Sequence, residues 1–341
     1  MNIMKIRVTY FHRNPSAGFS IARVFRTIVD EVSKSGEVVE HYVPSRRALP
    51  WHMIQNIYYV FENRDKSGLN HISGDIHYCI LALIGCKSVL TIHDTVFIDN
   101  VKNPFKRFFK WLFWLYLPVK ISSEVICISS KTRESVLKYV KKEKIRVIHN
   151  AADPRICFSF KTMNKDDITI LHIGCGWNKN LERVIEALAR FPYVIHLRII
   201  GKLSKFQIKL LEDSNITYSN KYDLTDEQVV NEYRDSDVVC FPSIYEGFGM
   251  PVIEGQKAGR VVLTSYIEPL IEIAGGAACL IDPEDIVSIK NGFLKLIEND
   301  AFRDNIVKRG LENIKRFDVK FVVSQYIDVY KSLYDLSNKF T

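Results

Sequence analysis

Short apolar runs alternate, along nearly the whole chain, with stretches whose apolar positions recur every three or four residues, the pattern of strands followed by amphipathic helices. In the first half, residues 5–10 predict a strand, and 20–35 a helix with Ile21, Val24, Phe25, Ile28 and Val32 on one side. Residues 89–92 predict a strand that ends at His93 and Asp94, and 124–128 another. A helix over 132–140, capped by Ser129 or Ser130, and a strand over 145–148 precede a turn at 150–154. Polar residues 161–167 interrupt the rhythm, which then restarts. Strands are expected at 168–173, 196–200, 216–218, 238–241, 261–264 and 278–281, with a helix at 181–188 after the first. Helices near 285–298, 300–314 and 319–335 close the chain.

Such alternation implies an α/β protein with parallel sheets covered by helices on both faces. With 341 residues, more than one hydrophobic core commonly supports, two doubly wound, Rossmann-like domains are expected to face each other across a cleft. The division expected is 1–160, 161–318, and a final helical segment, 319–341, that packs back on the first domain.

Composition narrows the class without changing this picture. A 47% hydrophobic and 25% charged chain with 11 Pro and 16 Gly is neither disordered nor collagen-like. The longest unbroken apolar stretch, residues 111–119, is nine long, whereas a membrane span needs about 20. The opening MNIMKIRVTYFHR turns polar too early for a secretory signal, so a cytoplasmic location is expected. Seven Cys (79, 86, 127, 157, 175, 240, 279) are scattered without CxxC spacing, which indicates neither a disulfide framework nor a zinc site.

Charge is distributed unevenly. Residues 1–155 hold 24 Lys or Arg against 13 Asp or Glu, and 156–341 hold 23 against 26. The first half would therefore attract an anionic partner: nucleic acid, an acidic membrane leaflet or a phosphorylated substrate. Without zinc-finger spacing or an Arg/Gly-rich tract, no nucleic acid is expected. In NPFKRFFKWLFWLYLPVK, residues 103–120, the cations Lys106, Arg107 and Lys110 lead into aromatics and leucines. This is either a buried helix whose basic first turns reach solvent, or a peripheral contact with an anionic membrane.

The segment with most chemical content is FPSIYEGFGMPVIEGQKAG, residues 241–259. A strand stops at Pro242, a loop carries Glu246, Gly247 and Gly249, a helix starts near Pro251, and Gly259 ends it. Glycines admit a ligand close to the backbone, and a new helix offers unpaired N–H groups to a phosphate or diphosphate. Glu246 in the loop and Glu254 on the helix can accept hydrogen bonds from hydroxyl-rich groups on either side of it, or be a solvated residue and a helix-dipole residue respectively. In IGCGWNKNLERVIEAL, residues 173–188, Gly174 ends a strand and Lys179 precedes a helix where it would meet a phosphate, unless it is a plain surface lysine. The third glycine of a dinucleotide fingerprint is missing, which disfavours NAD. His93, at a strand's carboxyl end, would donate to a sugar hydroxyl or sit capped in the core, and Gly18 in FHRNPSAGFS forms a similar loop.

These stretches, with TIHDTVF, ICISSKTRESVLKYV, KIRVIHNAADPRICF and IEPLIEIAGGAACLIDPED, resemble the retaining GT-B glycosyltransferases of family 4, the RfaG-like group 1 enzymes. The resemblance covers nearly the whole chain, and its most specific element is the pair of glutamates flanking seven residues in SIYEGFGMPVIE. It implies a GT-B fold and metal-independent, retaining transfer of a sugar from a nucleotide-sugar donor, with no cofactor. The acceptor implied is a glycan or lipid-linked saccharide in bacterial surface polysaccharide or lipopolysaccharide synthesis, at the inner membrane face. By resemblance Glu246 contacts the donor sugar, Glu254 holds the nucleotide ribose, and Gly247, Phe248, Gly249 and Met250 lie near the donor. Lys179 faces the diphosphate, Gly174 and Gly18 belong to the two glycine loops, and His93 lines the sugar pocket, so that Glu246, Lys179 and His93 form the catalytic set. Cys175 stands where many relatives carry an arginine, so more of the diphosphate charge falls to helix N-termini, backbone amides and Arg183, if that side chain faces the ligand. Two other readings stay open: an epimerase or phosphorylase of similar fold, and a catalytically silent sugar-nucleotide or glycan-binding module.

Overall fold

The computed structural model describes residues 6–17 and 20–335. The chain forms two compact units, Met1–Ala151 together with Val319–Thr341, and Ala152–Asp318.

The first unit holds strands β1 (Ile6–His12), β2 (Gly36–Tyr42), β3 (Leu69–Ile72), β4 (Lys87–Ile92), β5 (Glu124–Cys127) and β6 (Arg146–Val147). They form one parallel sheet in the order β2-β1-β3-β4-β5-β6. Side chains alternate across it. Phe11, Ile72, Leu90 and Val125 meet helix α2 (Pro50–Asn63), the 3-10 segment His77–Leu83 and Trp114, Leu115 and Val119. On the alternate positions, the Tyr330 hydroxyl lies 2.8 Å from both the Tyr10 hydroxyl and His71 Nδ1, and His71 Nε2 lies 2.8 Å from Thr91. Tyr330 belongs to the helix Val319–Asp335, which packs beside α1 (Ser20–Val32).

Among the elements of this unit that the periodicity does not predict are β2, β3 and α2. β2 is an edge strand that buries no residue fully, and β3 is fully buried but carries Asn70 and His71. α2 exposes Trp51, Ile54, Tyr58 and Phe61, so it lacks the polar face that marks a helix in sequence. Segment 103–120 is exposed at its start and buried farther on, as expected of a buried helix whose basic first turns reach solvent. Phe105 and Phe108 are exposed on the helix Pro104–Lys110, while Trp114, Leu115 and Val119 are buried farther on. Among the described residues, no helix is long and apolar enough to cross a membrane.

The second unit holds β7 (Ile168–Ile173), β8 (Ile195–Ile200), β9 (Thr217–Lys221), β10 (Val238–Phe241), β11 (Val261–Ser265) and β12 (Cys279–Ile281). The parallel order is β12-β11-β10-β7-β8-β9. The chain leaves β7 in one direction along the sheet and returns to add β10 on its other side. The carboxyl ends of β7 and β10 therefore flank the switch point, where open α/β sheets leave a crevice. Residues 152–167 run along this unit: the Ala152 amide donates to Phe317, the Ser159 amide to Ala258, and Lys161 pairs with Asp237 at 2.9 Å.

Candidate functional site

Two loops meet at the switch point of the second sheet. After β7, Gly174 takes φ +94°, and a Cβ there would lie 2.8 Å from Lys179 Cγ, so a glycine lets the lysine lie across the strand end. A 3-10 turn, Trp177–Lys179, leads to Asn180, which adopts a left-handed φ of 64° and opens the helix Leu181–Leu188. The Asn180 side-chain amide donates to the Pro242 carbonyl at 3.1 Å and the Pro283 carbonyl at 2.6 Å, tying the turn to the ends of β10 and β12.

After β10, the chain enters the loop of Glu246. Lys179 Nζ lies 2.5 Å from Glu246 Oε1, and Asn178 donates to the same oxygen at 3.3 Å and to the Tyr245 carbonyl at 3.0 Å. Lys179 also stands over the Phe241 ring, 4.6 Å from its centroid. Both members of the ion pair keep some exposure, 24% for the lysine side chain and 12% for the glutamate, so an incoming ligand can reach them.

The helix Met250–Lys257 begins at Gly249, whose φ is +115°, with Pro251 in its first turn and no side chain capping its amides. Its positive end therefore stays available to an anion. A Cβ on Gly249 would meet Leu270 Cδ2 at 2.5 Å. Phe248 is buried edge-on against Phe317, their centroids 5.9 Å apart. Glu254 is buried one turn into the helix and accepts a hydrogen bond of 2.6 Å from the Tyr233 hydroxyl.

Among the expected residues, the fold thus brings together Lys179, Glu246, Gly174 and the 247–250 loop, with Glu254 farther along the same helix. Arg183 turns elsewhere, donating to the Asn180 side-chain oxygen Oδ1 at 2.9 Å. Cys175 is half-buried, and burial, with Glu182 adding to it, pushes its thiol up to about 11. It is a neutral group at physiological pH and supplies no positive charge. His172, buried at the end of β7, is pulled down to about 3, first by burial and then by the Lys179 charge. His93 belongs to the first unit, where its Nε2 lies 2.9 Å from the Ser73 carbonyl and its ring meets the Phe25 edge. Burial holds it neutral, at about 4. Gly18 lies outside the described residues. Among those described, no group of three or more His, Cys, Asp or Glu could hold a metal ion.

Sequence reasoning passed over Asn178, Asn180 and Tyr233. The Asn-Lys-Asn run before a helix was a usable signal, because Asn tolerates left-handed backbone and bonds to nearby main chain. Tyr233 had none, since only the fold brings it to Glu254.

Two parallel, doubly wound units, the second with a ligand-accessible ion pair at its switch point, define a class of two-unit α/β proteins. Comparison specifies it. Residues 5–155 match the family described as Glycosyltransferase Family 4, and residues 158–313 match Glycosyl transferases group 1. The chain is related to these glycosyltransferases and has the GT-B fold. It is 33% identical over 108 residues to the O-antigen chain mannosyltransferase B of Escherichia coli, covering 32% of this chain and 28% of that one. It is 23% identical over 330 residues to the O-antigen chain mannosyltransferase RfbU of Salmonella typhimurium, covering 92% and 86%. The fold matches that of Anabaena Alr3699/HepE in complex with UDP and glucose, with a TM-score of 0.78 at 14% identity over 96% of this chain and 100% of that one. The chain spans 18% to 28% of the length of the first curated relatives it matches.

Proposed function

We propose that this chain transfers a sugar from a nucleotide-sugar donor to a glycan or lipid-linked saccharide in bacterial surface polysaccharide or lipopolysaccharide synthesis. The observation that carries this reading is the accessible Lys179–Glu246 pair beside the uncapped start of the helix Met250–Lys257. The kinship with O-antigen mannosyltransferases supports the acceptor class.

Cleaving the donor leaves a nucleoside diphosphate as the anomeric carbon gains positive character. Lys179 would meet the growing negative charge, together with the first amides of the helix at Gly249 and Met250. Glu246, itself steadied by Asn178, holds the ammonium group in place before the donor arrives, which lowers the reorganisation the reaction requires. Glu246 would then accept from the donor sugar's hydroxyls, with Gly247 and Phe248 shaping the wall. Glu254, fixed by Tyr233, would accept from the ribose, since a carboxylate takes up to about four hydrogen bonds. Gly174 gives the diphosphate access, Gly18 would supply an amide from the first unit, and His93, neutral, would hydrogen-bond the sugar. Arg183 becomes an auxiliary contact if it leaves Asn180. Transfer proceeds with retention of configuration and without a divalent ion, the leaving phosphate oxygen assisting deprotonation of the acceptor. The division of the chain into 1–160, 161–318 and 319–341 assigns acceptor and donor to different domains. Work at the inner membrane face would use the exposed Phe105 and Phe108 beside Lys106 and Arg107.

Cys175 favours one rival. A neutral thiol where relatives place an arginine suits a module that binds a sugar nucleotide without transferring it. A thermal-shift screen of UDP-, GDP-, ADP- and dTDP-sugars, followed by product analysis with the best binder, separates the two. Transfer to a glycan acceptor with retained configuration is the expected result. Donor binding with no transfer or hydrolysis would establish the silent module, and no donor binding would end both readings.

A further inference from the structure

The strongest unexplained feature of the first unit is a pocket of about 420 Å³, lined by Asn14, Ser16, Ser45, Arg46, Arg47 and His52 among others. Its volume lies in the range of small-ligand sites, ~300–1,000 Å³. It lies between the loop after β1 and the loop leading from β2 into α2. The backbone there is fixed. The Asn14 side-chain amide donates to the Val43 and Pro44 carbonyls at 3.2 and 2.9 Å. Asn56, fully buried, accepts from the Ser45 amide and donates to the Ser45 carbonyl, each at 3.0 Å.

The charge on this frame is one-sided. None of the lining residues is acidic, and neither Arg46 nor Arg47 makes an ion pair among the described residues. His52 lines the pocket, and its Nδ1 has no hydrogen-bond partner, a rarity for a buried polar atom. The same wall is the first turn of α2, fourteen residues long, which starts with Pro50 and has no side-chain cap. Two guanidinium groups, an unpaired imidazole nitrogen and open helix amides form a set of donors suited to phosphate oxygens.

We propose that this pocket binds a phosphoryl group carried by the acceptor substrate, with Arg46 and Arg47 supplying charge, and His52 and the first amides of α2 supplying direction. This rests on the glycosyltransfer reading and assigns the acceptor's anionic end to the first unit. The phosphoryl group belongs either to a soluble phosphosugar or to a lipid headgroup.

The test uses the full chain and glycerol 3-phosphate as probe, with calorimetric titration and the carbon-13 histidine signals read together, the His52 resonance being identified by its loss in His52→Gln. The probe is expected to bind wild type and Lys179→Ala alike and to shift the His52 signal in both. Arg46→Gln with Arg47→Gln, both exposed side chains, should weaken that binding about tenfold or more, the equivalent of one lost charge-assisted bond, and leave UDP binding unchanged. Equal affinity in the double variant, or binding lost in Lys179→Ala, would overturn the pocket. Competition by phosphatidylglycerol vesicles but not by phosphatidylcholine vesicles assigns a lipid source, and absence of competition a soluble one. Loss of probe binding with sugar transfer intact sinks this proposal alone. Probe binding at Arg46 and Arg47 in a chain that transfers no sugar upholds the anion site and removes the enzyme.

Discussion

At the carboxyl edge of the second sheet, Lys179 and Glu246 stand 2.5 Å apart and partly open to solvent. In the first sheet, His71 and His93 are buried and bonded to the neutral partners Tyr330, Thr91 and Ser73. Both edges come from the same succession of strand, loop and helix. What differs is where the charge is kept. The second unit holds an ion pair ready at its switch point, whereas the first buries neutral imidazoles in its sheet and leaves its arginines, Arg46 and Arg47, exposed on the rim.

The largest expected effect breaks the charged edge. Lys179→Ala should lower turnover at saturating donor by about 10- to 1,000-fold, the range for a lost transition-state donor. Unchanged turnover would remove Lys179 from the chemistry and erase the contrast between the two edges.

Acid should act on the other edge. Burial lowers His71 well below its ordinary value and holds His77 and His93 at about 4, whereas the second unit's buried His172 lies at about 3. As pH falls below about 6.5, the unfolded chain takes up protons that these folded histidines refuse, so stability drops until pH nears their folded values. Because three such histidines lie in the first unit, its amides should lose hydrogen-exchange protection sooner between pH 6.5 and about 4 than those of the second. Equal loss in both units would mean that carboxylates, not histidines, set acid stability.

Backbone strain sharpens the comparison at the second edge. Gly249→Ala places a Cβ against Leu270 at a φ of +115° and should cost about 1–3 kcal/mol, read as a lower denaturation midpoint. An unchanged midpoint would show that the helix start can relax without its glycine. The smallest effect concerns the strap of the first unit. Tyr330→Phe removes the hydroxyl shared by Tyr10 and His71 and should cost roughly 1–2 kcal/mol in chemical denaturation, with no change in nucleotide affinity. Weakened nucleotide binding would show that the C-terminal helix serves more than the first unit's stability.

Most of the second unit was legible before any coordinates, because its strands are apolar and the chemistry of its loops sits within a few residues of them. The strands Ile168–Ile173 and Val238–Phe241 and the helix Leu181–Leu188 fall where periodicity puts them. The first unit was read less completely for reasons visible in its residues. The edge strand Gly36–Tyr42 alternates without a clean apolar face, Leu69–Ile72 buries a histidine and an asparagine, and α2 shows its aromatics to solvent. Nothing local announces that Tyr330 will bond Tyr10, 320 residues away, or that Tyr233 will fix Glu254.

The sequence by itself determined the alternation of strand and helix, the doubling of that pattern, the glycines where the chain must turn left-handed, and the two glutamates of the motif. Those features depend on side-chain periodicity and backbone sterics over one or two turns. Only the tertiary structure decided the strand order that sets β7 beside β10, the pairing of Lys179 with Glu246 across 67 positions, the turning of Arg183 toward Asn180, and the meeting of Arg46, Arg47 and His52 around one pocket. Such contacts follow from which surfaces bury together, and burial is a property of the whole fold rather than of any stretch of it.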